Sequence, residues 1–369
     1  MEVVALGFLL AALGGSATPV HVSIRGKPPA AVAGKAWTVR LAVRPASFRG
    51  IVRITAAGPS RARARATARP GSYRARLVFP RAGRWTLTAQ AGGSVSRLGS
   101  VRVRPAPPRP LAFTQPTAID LEPAGTLLLV ENNPGRVLRV NPATGRVTVL
   151  VPSMSAPYAV VRAPSGTVFV SSGNLVRRLD AAGTPTTIAQ ADSDVGPLAV
   201  AANGDLYYAT STRIFRLDGG VGPPIHIAGT GVEGGDGDGG PAVNAQIEQP
   251  HGLAIAADGA LLVSDTGNER IRRIDLGSGI ITTLALVGTP DGIDVGPAGT
   301  ISVVDSRARR IARFSASGTR IGFFGPLFGL PYDVEATADG GAYLLEAGQL
   351  GRLRRVAPNG TVTTVSRKP

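Results

Sequence analysis

Along most of the chain, apolar residues fall in short runs broken by glycine, asparagine and aspartate, and one set of runs spans residues 252–284. An apolar run at 252–256 meets the turn Ala257-Asp258-Gly259, after which Leu261, Leu262 and Val263 lead to Asp265. The turn Thr266-Gly267-Asn268 opens Arg270-Ile271-Arg272-Arg273-Ile274-Asp275, and Gly277-Ser278-Gly279 opens a last run at 280–284. Four β-rich runs between such turns leave no room for a helix and predict an antiparallel meander. A sheet that is apolar on both faces needs neighbours of its own kind.

Those neighbours are in the sequence. Each unit opens on a proline: Pro116, Pro157, Pro197, Pro250, Pro290 and Pro331, at spacings of 41, 40, 53, 40 and 41 residues. The long interval holds one unit plus an insertion. A period of about 40 with four strands per unit is the signature of a β-propeller, here six-bladed. The GDGGPA segment at 237–242 and DTGNERI at 265–271 carry a family resemblance as well: the units resemble NHL repeats over residues 111–369. The resemblance is strong in the fourth unit, clear in the first and fifth, and weaker in the second and third.

Residues 18–104 follow a different pattern. Runs at 20–24, 37–43, 51–55, 61–68, 73–79, 85–89 and 101–104 alternate apolar with polar residues between Gly/Pro turns. About seven such strands predict an immunoglobulin-like β-sandwich, so the fold class is all-β, a sandwich followed by a propeller. Residues 71–85 resemble the closing hairpin of small bacterial sandwich domains, some of which handle copper. His21 is the only histidine of this region and it has no methionine, so a soft copper ligand set is lacking. The proline-rich residues 105–110 read as a stiff linker to a propeller at 111–369.

Ahead of the sandwich, residues 3–13 are almost wholly apolar but too short to span a bilayer, and Gly14-Gly15-Ser16-Ala17 supplies small residues where a signal peptidase would cut. The expectation is a signal peptide over residues 1–17 and a secreted or cell-envelope protein with no transmembrane helix after cleavage. The segment departs from the usual pattern in lacking a basic start, Glu2 being its one charge; an upstream start or a buried strand are the alternatives. The chain has no cysteine, which excludes a disulfide framework and a thiol nucleophile.

Charge changes this picture more than composition does. Residues 18–110 hold 17 Arg and 2 Lys and no acidic residue, whereas the stretch from 111 to the end is nearly balanced, with 21 basic and 23 acidic residues. Arg61, Arg63 and Arg65 alternate, as do Arg74 and Arg76, which places each set on one face of a strand. Such a face is either simply solvated or meets an anionic lipid or envelope polymer. Nucleic acid does not suit an exported protein, and the aromatic platforms that stack single strands are missing. The propeller arginines recur instead as Arg136/Arg139, Arg213/Arg216, Arg270/Arg273, Arg310/Arg313 and Arg352/Arg355, with Arg178 in the second unit, and read as structural, pairing with backbone or with a neighbouring unit's acids.

Function is sought where the units differ. The residue after each opening proline faces the channel mouth, giving Thr117, Tyr158, Leu198, His251, Asp291 and Tyr332. The end of each second strand returns to the same face and gives Glu131, Asn132, Asp265, Asp305 and Glu346, read first as caps on the following turn. Thr117, Tyr158, His251, Asp291, Tyr332, Glu131, Asn132 and Asp305 are the ligand-binding candidates for a protein, glycan or small molecule. Four residues after the proline, Asp120, Asp294 and Glu335 fall in units that become adjacent when the ring closes. They are candidate ligands, with Asp333 beside them, for Ca²⁺ or Mg²⁺ in the channel; the other reading is that they pair with turns and arginines. GDGDGG at 235–240 lacks the carboxylate spacing of a calcium loop and is expected to overhang the channel face.

The wider resemblance to lactonase-type (SMP-30-like) propellers implies a divalent ion held by a glutamate, an asparagine and an aspartate, with Glu131, Asn132, Asp291 and Asp305 matching by residue type only. Pro250-His251-Gly252 is similar to the opening of streptogramin-lyase-like propellers, which implies His251 as a candidate catalytic acid or base. No nucleophile elbow, phosphate loop or His pair at metal spacing is present. The reading is a monomeric binding or scaffold module, with a metal-dependent hydrolase or lyase at the channel mouth as the alternative.

Overall fold

The computed structural model describes residues 20–26, 29–44, 46–59, 63–70, 73–104 and 109–367. The expected signal peptide at 1–17 lies outside them, as do Arg61 and linker residues 105–108. The chain forms two compact units that divide at Pro108/Arg109. Among the described residues there is no α-helix, and no helix is long and apolar enough to cross a membrane.

The first unit packs a three-stranded sheet, in the order His21–Ile24, Ala36–Arg44, Arg74–Val78, against a five-stranded one, in the order Ala31–Val32, Ser94–Arg104, Gly83–Ala91, Val52–Ala57, Arg63–Ala68. Alternation sends Trp37, Val39 and Leu41 inward from one sheet and Val52, Ile54, Ala56, Trp85 and Leu87 from the other into a single core. The expected hairpin over 71–85 is not one. Arg74–Val78 pairs with Ala36–Arg44, while Gly83–Ala91 pairs with Val52–Ala57 and Ser94–Arg104, so the chain crosses between sheets at Pro80–Ala82. The aromatic residues explain the crossing. Phe79 and Trp85 meet ring to ring, with centroids 5.1 Å apart, and Trp37 lies 5.5 Å from Phe79, a cluster that needs its members on facing layers.

The second unit consists of six four-stranded antiparallel sheets, at residues 116–151, 157–190, 198–228, 250–286, 290–324 and 331–364, forming a β-propeller. The second strand of each sheet, such as Leu127–Glu131, Leu261–Asp265 or Ile301–Asp305, is buried along its whole length because it is covered by a neighbouring sheet on either face. Outer strands such as Arg146–Val151 are half exposed. The sixth sheet adjoins the first: the Asp333 and Glu335 carboxylates accept from the Ile119 and Leu121 amides. Arg109–Pro110, expected in the linker, pairs with Ser366–Arg367, and Phe113 pairs with Gly351, so both ends of the unit are tied to the same place.

The insertion does not overhang the mouth. Its Gly239, Ala242 and Gly240 bond to Ile281 and Gly279 on the outer edge of the fourth sheet. Asp238 Oδ1 lies 2.7 Å from Nη2 of the fully buried Arg272 and holds the loop there. The recurring arginines mostly pair within their own sheet rather than with a neighbour: Arg139 with Glu122, Arg273 with Asp258 and Arg355 with Asp339.

Candidate functional site

The first strands of all six sheets line a central cavity of about 240 Å³, bordered by Thr117, Tyr158, His251 and Tyr332 at its mouth and by Asp120, Asp294, Asp333 and Glu335 deeper in. A register shift follows the proline in five of these strands, between the proline and the residue four past it. A second cavity of about 290 Å³ is lined by Asn132, Tyr158, Asp194, Thr210, Ser211 and His251. Tyr158 and His251 therefore form a wall common to both.

His251 and Asp291 occupy the same position in consecutive sheets, which brings them side by side. His251 Nδ1 lies 2.7 Å from Asp291 Oδ1, and Asp291 is buried. A carboxylate there accepts a hydrogen bond from the Nδ1–H tautomer, in which Nε2 carries the lone pair. Opposite, the Tyr332 hydroxyl donates to the Tyr158 hydroxyl at 3.0 Å, and Thr117 Oγ1 donates to the Tyr158 carbonyl at 2.7 Å. Burial pushes the Tyr158 phenol well above its ordinary range, with Tyr332 and the charges of Asp291 and Asp333 acting in the same sense. Both tyrosines thus act as neutral hydrogen-bonding groups.

The deeper carboxylates touch the cavity but are otherwise walled in by protein. Each accepts an amide of the next sheet round the ring: Asp294 Oδ2 from Ala336 N at 2.7 Å, Glu335 Oε2 from Leu121 N at 3.2 Å and Asp120 Oδ2 from Arg162 N at 3.1 Å. Asp333 accepts from Ile119 N at 2.8 Å. The acids at this position staple sheets five, six, one and two together, where the corresponding residues Val161, Ala201 and Ala254 are apolar. Desolvation, opposed by those amides and reinforced by neighbouring carboxylates, pushes Asp120 and Asp333 up to about 7. It raises Asp294, and it holds Glu335 well above the usual carboxylate range.

Asp120, Asp294 and Glu335, the candidate metal ligands, each give one oxygen to a backbone amide of the next sheet. Among the described residues no group of three or more His, Asp or Glu side chains is placed to hold a metal ion. The alternation that aims these carboxylates along the ring commits one oxygen of each to a neighbouring strand. The second-strand acids are also committed, as caps. Glu131 Oε1 accepts from Thr114 N, Asp265 Oδ1 from Glu248 N and Glu346 Oε1 from Gly329 N, in each case two residues before the proline of the same sheet. Asp305 accepts from Ala308 N. Glu131 and Asp305 are buried and border neither cavity, whereas Asn132 lines the second cavity and donates to the Pro157 carbonyl.

Three features were not anticipated: the His251–Asp291 pair, the cavity wall of Asp194, Thr210 and Ser211, and Arg272. The first was discoverable, since equivalent positions of consecutive repeats must be neighbours in a ring. Arg272 stands where the first and fifth units carry Leu138 and Ala312, whereas the second and sixth units also carry arginine there, Arg177 and Arg354.

The NHL repeat family matches residues 248–274. Protein SUPPRESSOR OF QUENCHING 1, chloroplastic, of Arabidopsis thaliana is 40% identical over 99 residues, which is 25% of this chain and 9% of that protein; this chain therefore spans under a tenth of that relative's length. Among solved structures, a gluconolactonase from Xanthomonas campestris superposes with a TM-score of 0.54 at 18% identity, over 68% of this chain and 95% of that one. Virginiamycin B lyase from Staphylococcus aureus superposes with a TM-score of 0.52 at 19% identity, over 68% and 84%. These likenesses show the fold, a β-propeller.

Proposed function

Starting from a propeller built of NHL-type repeats, we propose that the second unit binds a small molecule at the channel mouth and that His251 exchanges a proton with it there. The common wall carries this reading: His251 borders both cavities while Asp291 fixes its ring through Nδ1. A ligand spanning the two cavities would meet Nε2 at its middle, Tyr158 on one side and the hydroxyls of Thr210 and Ser211 beyond. A base so held can take a proton next to a bond that breaks in an elimination, or from the water that opens a lactone. The likeness to a lyase and to a gluconolactonase supports both chemistries at the level of fold. The test is turnover by the full chain of quinupristin, with which an inactive form of the Staphylococcus aureus lyase has been solved, and of a gluconolactone. His251→Ala is expected to lower the rate about 100-fold or more, within the ordinary reach of a general base. Absence of turnover above background for both compounds would remove the enzymatic reading.

A second reading, a binding surface without chemistry, is favoured by the locked hydroxyls of Thr117 and Tyr332, which fix the shape of the mouth for a protein or glycan. We also propose that the chain is exported and that its first unit attaches to an anionic component of the envelope, supported by the apolar residues 3–13 and by the 19 basic residues of residues 18–110. N-terminal sequencing of protein recovered from the producing cell is expected to begin near Thr18; an intact Met1 overturns the export reading.

A further inference from the structure

The five-stranded sheet of the first unit presents an outer face on which strand register brings arginines together. Arg53, Arg63, Arg65, Arg84, Arg97 and Arg102 are all exposed on it. Arg84 stands directly opposite Arg102, and one row across the sheet reads Arg97, Thr88, Thr55, Arg65. Arg53 faces Gln90 on one side and Thr67 on the other. The face is thus a lattice of guanidinium groups with hydroxyl and amide side chains between them. Among the described residues of this unit no ion pair occurs, and residues 18–110 contain no acid that could form one. Like charges set directly opposite one another in a sheet cost stability, so an oxyanion placed between them relieves a repulsion already built into the fold.

We propose that this face binds an extended, hydrated phosphate polymer. The inference rests on the reading of the first unit as an attachment module and names its partner. Along a strand, alternate residues are about 6.6 Å apart and strands lie about 4.8 Å apart. A chain carrying a phosphate every few ångströms therefore meets a donor at each step. Guanidinium forks take phosphate oxygens two at a time, and threonine hydroxyls fill the intervals. A bilayer is the poorer partner. Trp37 and Trp85 are buried in the core, and among the described residues of this unit the exposed large apolar side chains, Ile51, Val78 and Val95, are scattered, so none of them forms a patch to enter a membrane with the charge.

The experiment uses the full chain with long-chain inorganic polyphosphate, with inorganic phosphate at equal phosphorus, and with vesicles of neutral lipid carrying about one-third anionic lipid. Polyphosphate is expected to bind with an affinity that falls steeply with salt. The triple substitution R53Q/R63Q/R65Q should weaken it at least 10-fold and lower the salt slope, with Tm unchanged or raised. R40Q/R74Q/R76Q, on the opposite sheet, should weaken it less. Equal weakening by the two triples overturns the assignment to this face, and inorganic phosphate competing as well as the polymer overturns the extended ligand. Binding to the vesicles without polyphosphate overturns the polymer while leaving attachment standing; binding to neither overturns attachment itself.

Discussion

The two units spend the same residue in opposite ways. In the propeller, Arg139, Arg273 and Arg355 each hold an acid of their own sheet, and Arg272 holds one in the fully buried state. In the sandwich, arginine stands opposite arginine at Arg84/Arg102 and at Arg40/Arg74, with no carboxylate in the region. A charge that is matched where the chain folds is part of the structure; one that is left unmatched on a face is offered to a partner. The difference is testable through stability, because removing a charge that is matched should cost the propeller, whereas removing an unmatched one should not cost the sandwich.

The largest effect is expected at Asp238. Its carboxylate accepts from Arg272 Nη2 at 2.7 Å and from Thr283 Oγ1 at 2.5 Å, and Arg272 has no access to water. Asp238→Ala leaves a buried guanidinium with the Gln246 and Asp236 carbonyls and with Asp265 at 3.6 Å. Breaking a buried pair from one side costs roughly 3–5 kcal/mol, and the remaining partners place this site near the lower figure. Urea unfolding measures it, along with faster proteolysis within residues 229–249. A loss below about 1 kcal/mol would mean that Arg272 is held by the carbonyls alone and that charge matching here is incidental.

Next in size is the ring of carboxylates. Asp120 and Asp333 titrate near 7 in the folded chain against 3.8 when free. The folded form therefore holds more protons than the unfolded one between about pH 4 and 7. Stability falls as pH rises through that window and levels off above it. Asp120→Asn keeps an oxygen for the Arg162 amide and removes a negative charge beside Asp294 and Asp333. Tm of the variant is expected to exceed that of the parent at pH 8 and to match it near pH 4. A variant no more stable at pH 8 would show that the carboxylates are solvated through the channel rather than desolvated.

Much of this was legible in the sequence, and the exceptions share a cause. The period of about 40 and the turn residues disclosed the sheets, and the alternation of Arg74, Ala75, Arg76 and Leu77 disclosed which face of the sandwich is polar. Asp120, Asp294 and Glu335 were visible as a set on adjacent units. A carboxylate on an inner strand, however, reads the same whether it binds a cation or a neighbour's amide. The register between sheets, which puts Asp120 against the Arg162 amide, is what the sequence does not carry. The crossing at Pro80–Ala82 was misread as a hairpin for a similar reason, since strands close in sequence pair by default and the Phe79–Trp85 contact that sends them to facing layers is a tertiary fact. His251 was found as a residue and missed as a pair.

The smallest effect has the opposite sign. Arg40 lies directly across from Arg74 on the exposed face of the three-stranded sheet, flanked by Thr38 and Arg76. Arg40→Thr removes a like-charge pair and introduces a β-branched residue that suits an exposed strand. A gain of about 0.5 kcal/mol at low salt is expected, within the range of cross-strand pairs. The part due to charge should be lost at about 1 M salt, where the screening length drops to roughly 3 Å, so the gain should shrink. Thermal unfolding at the two salt concentrations checks both statements. A loss of stability instead would show that the arginine stems cover apolar surface and stabilise the sheet through packing, which would make the sandwich arginines as structural as those of the propeller.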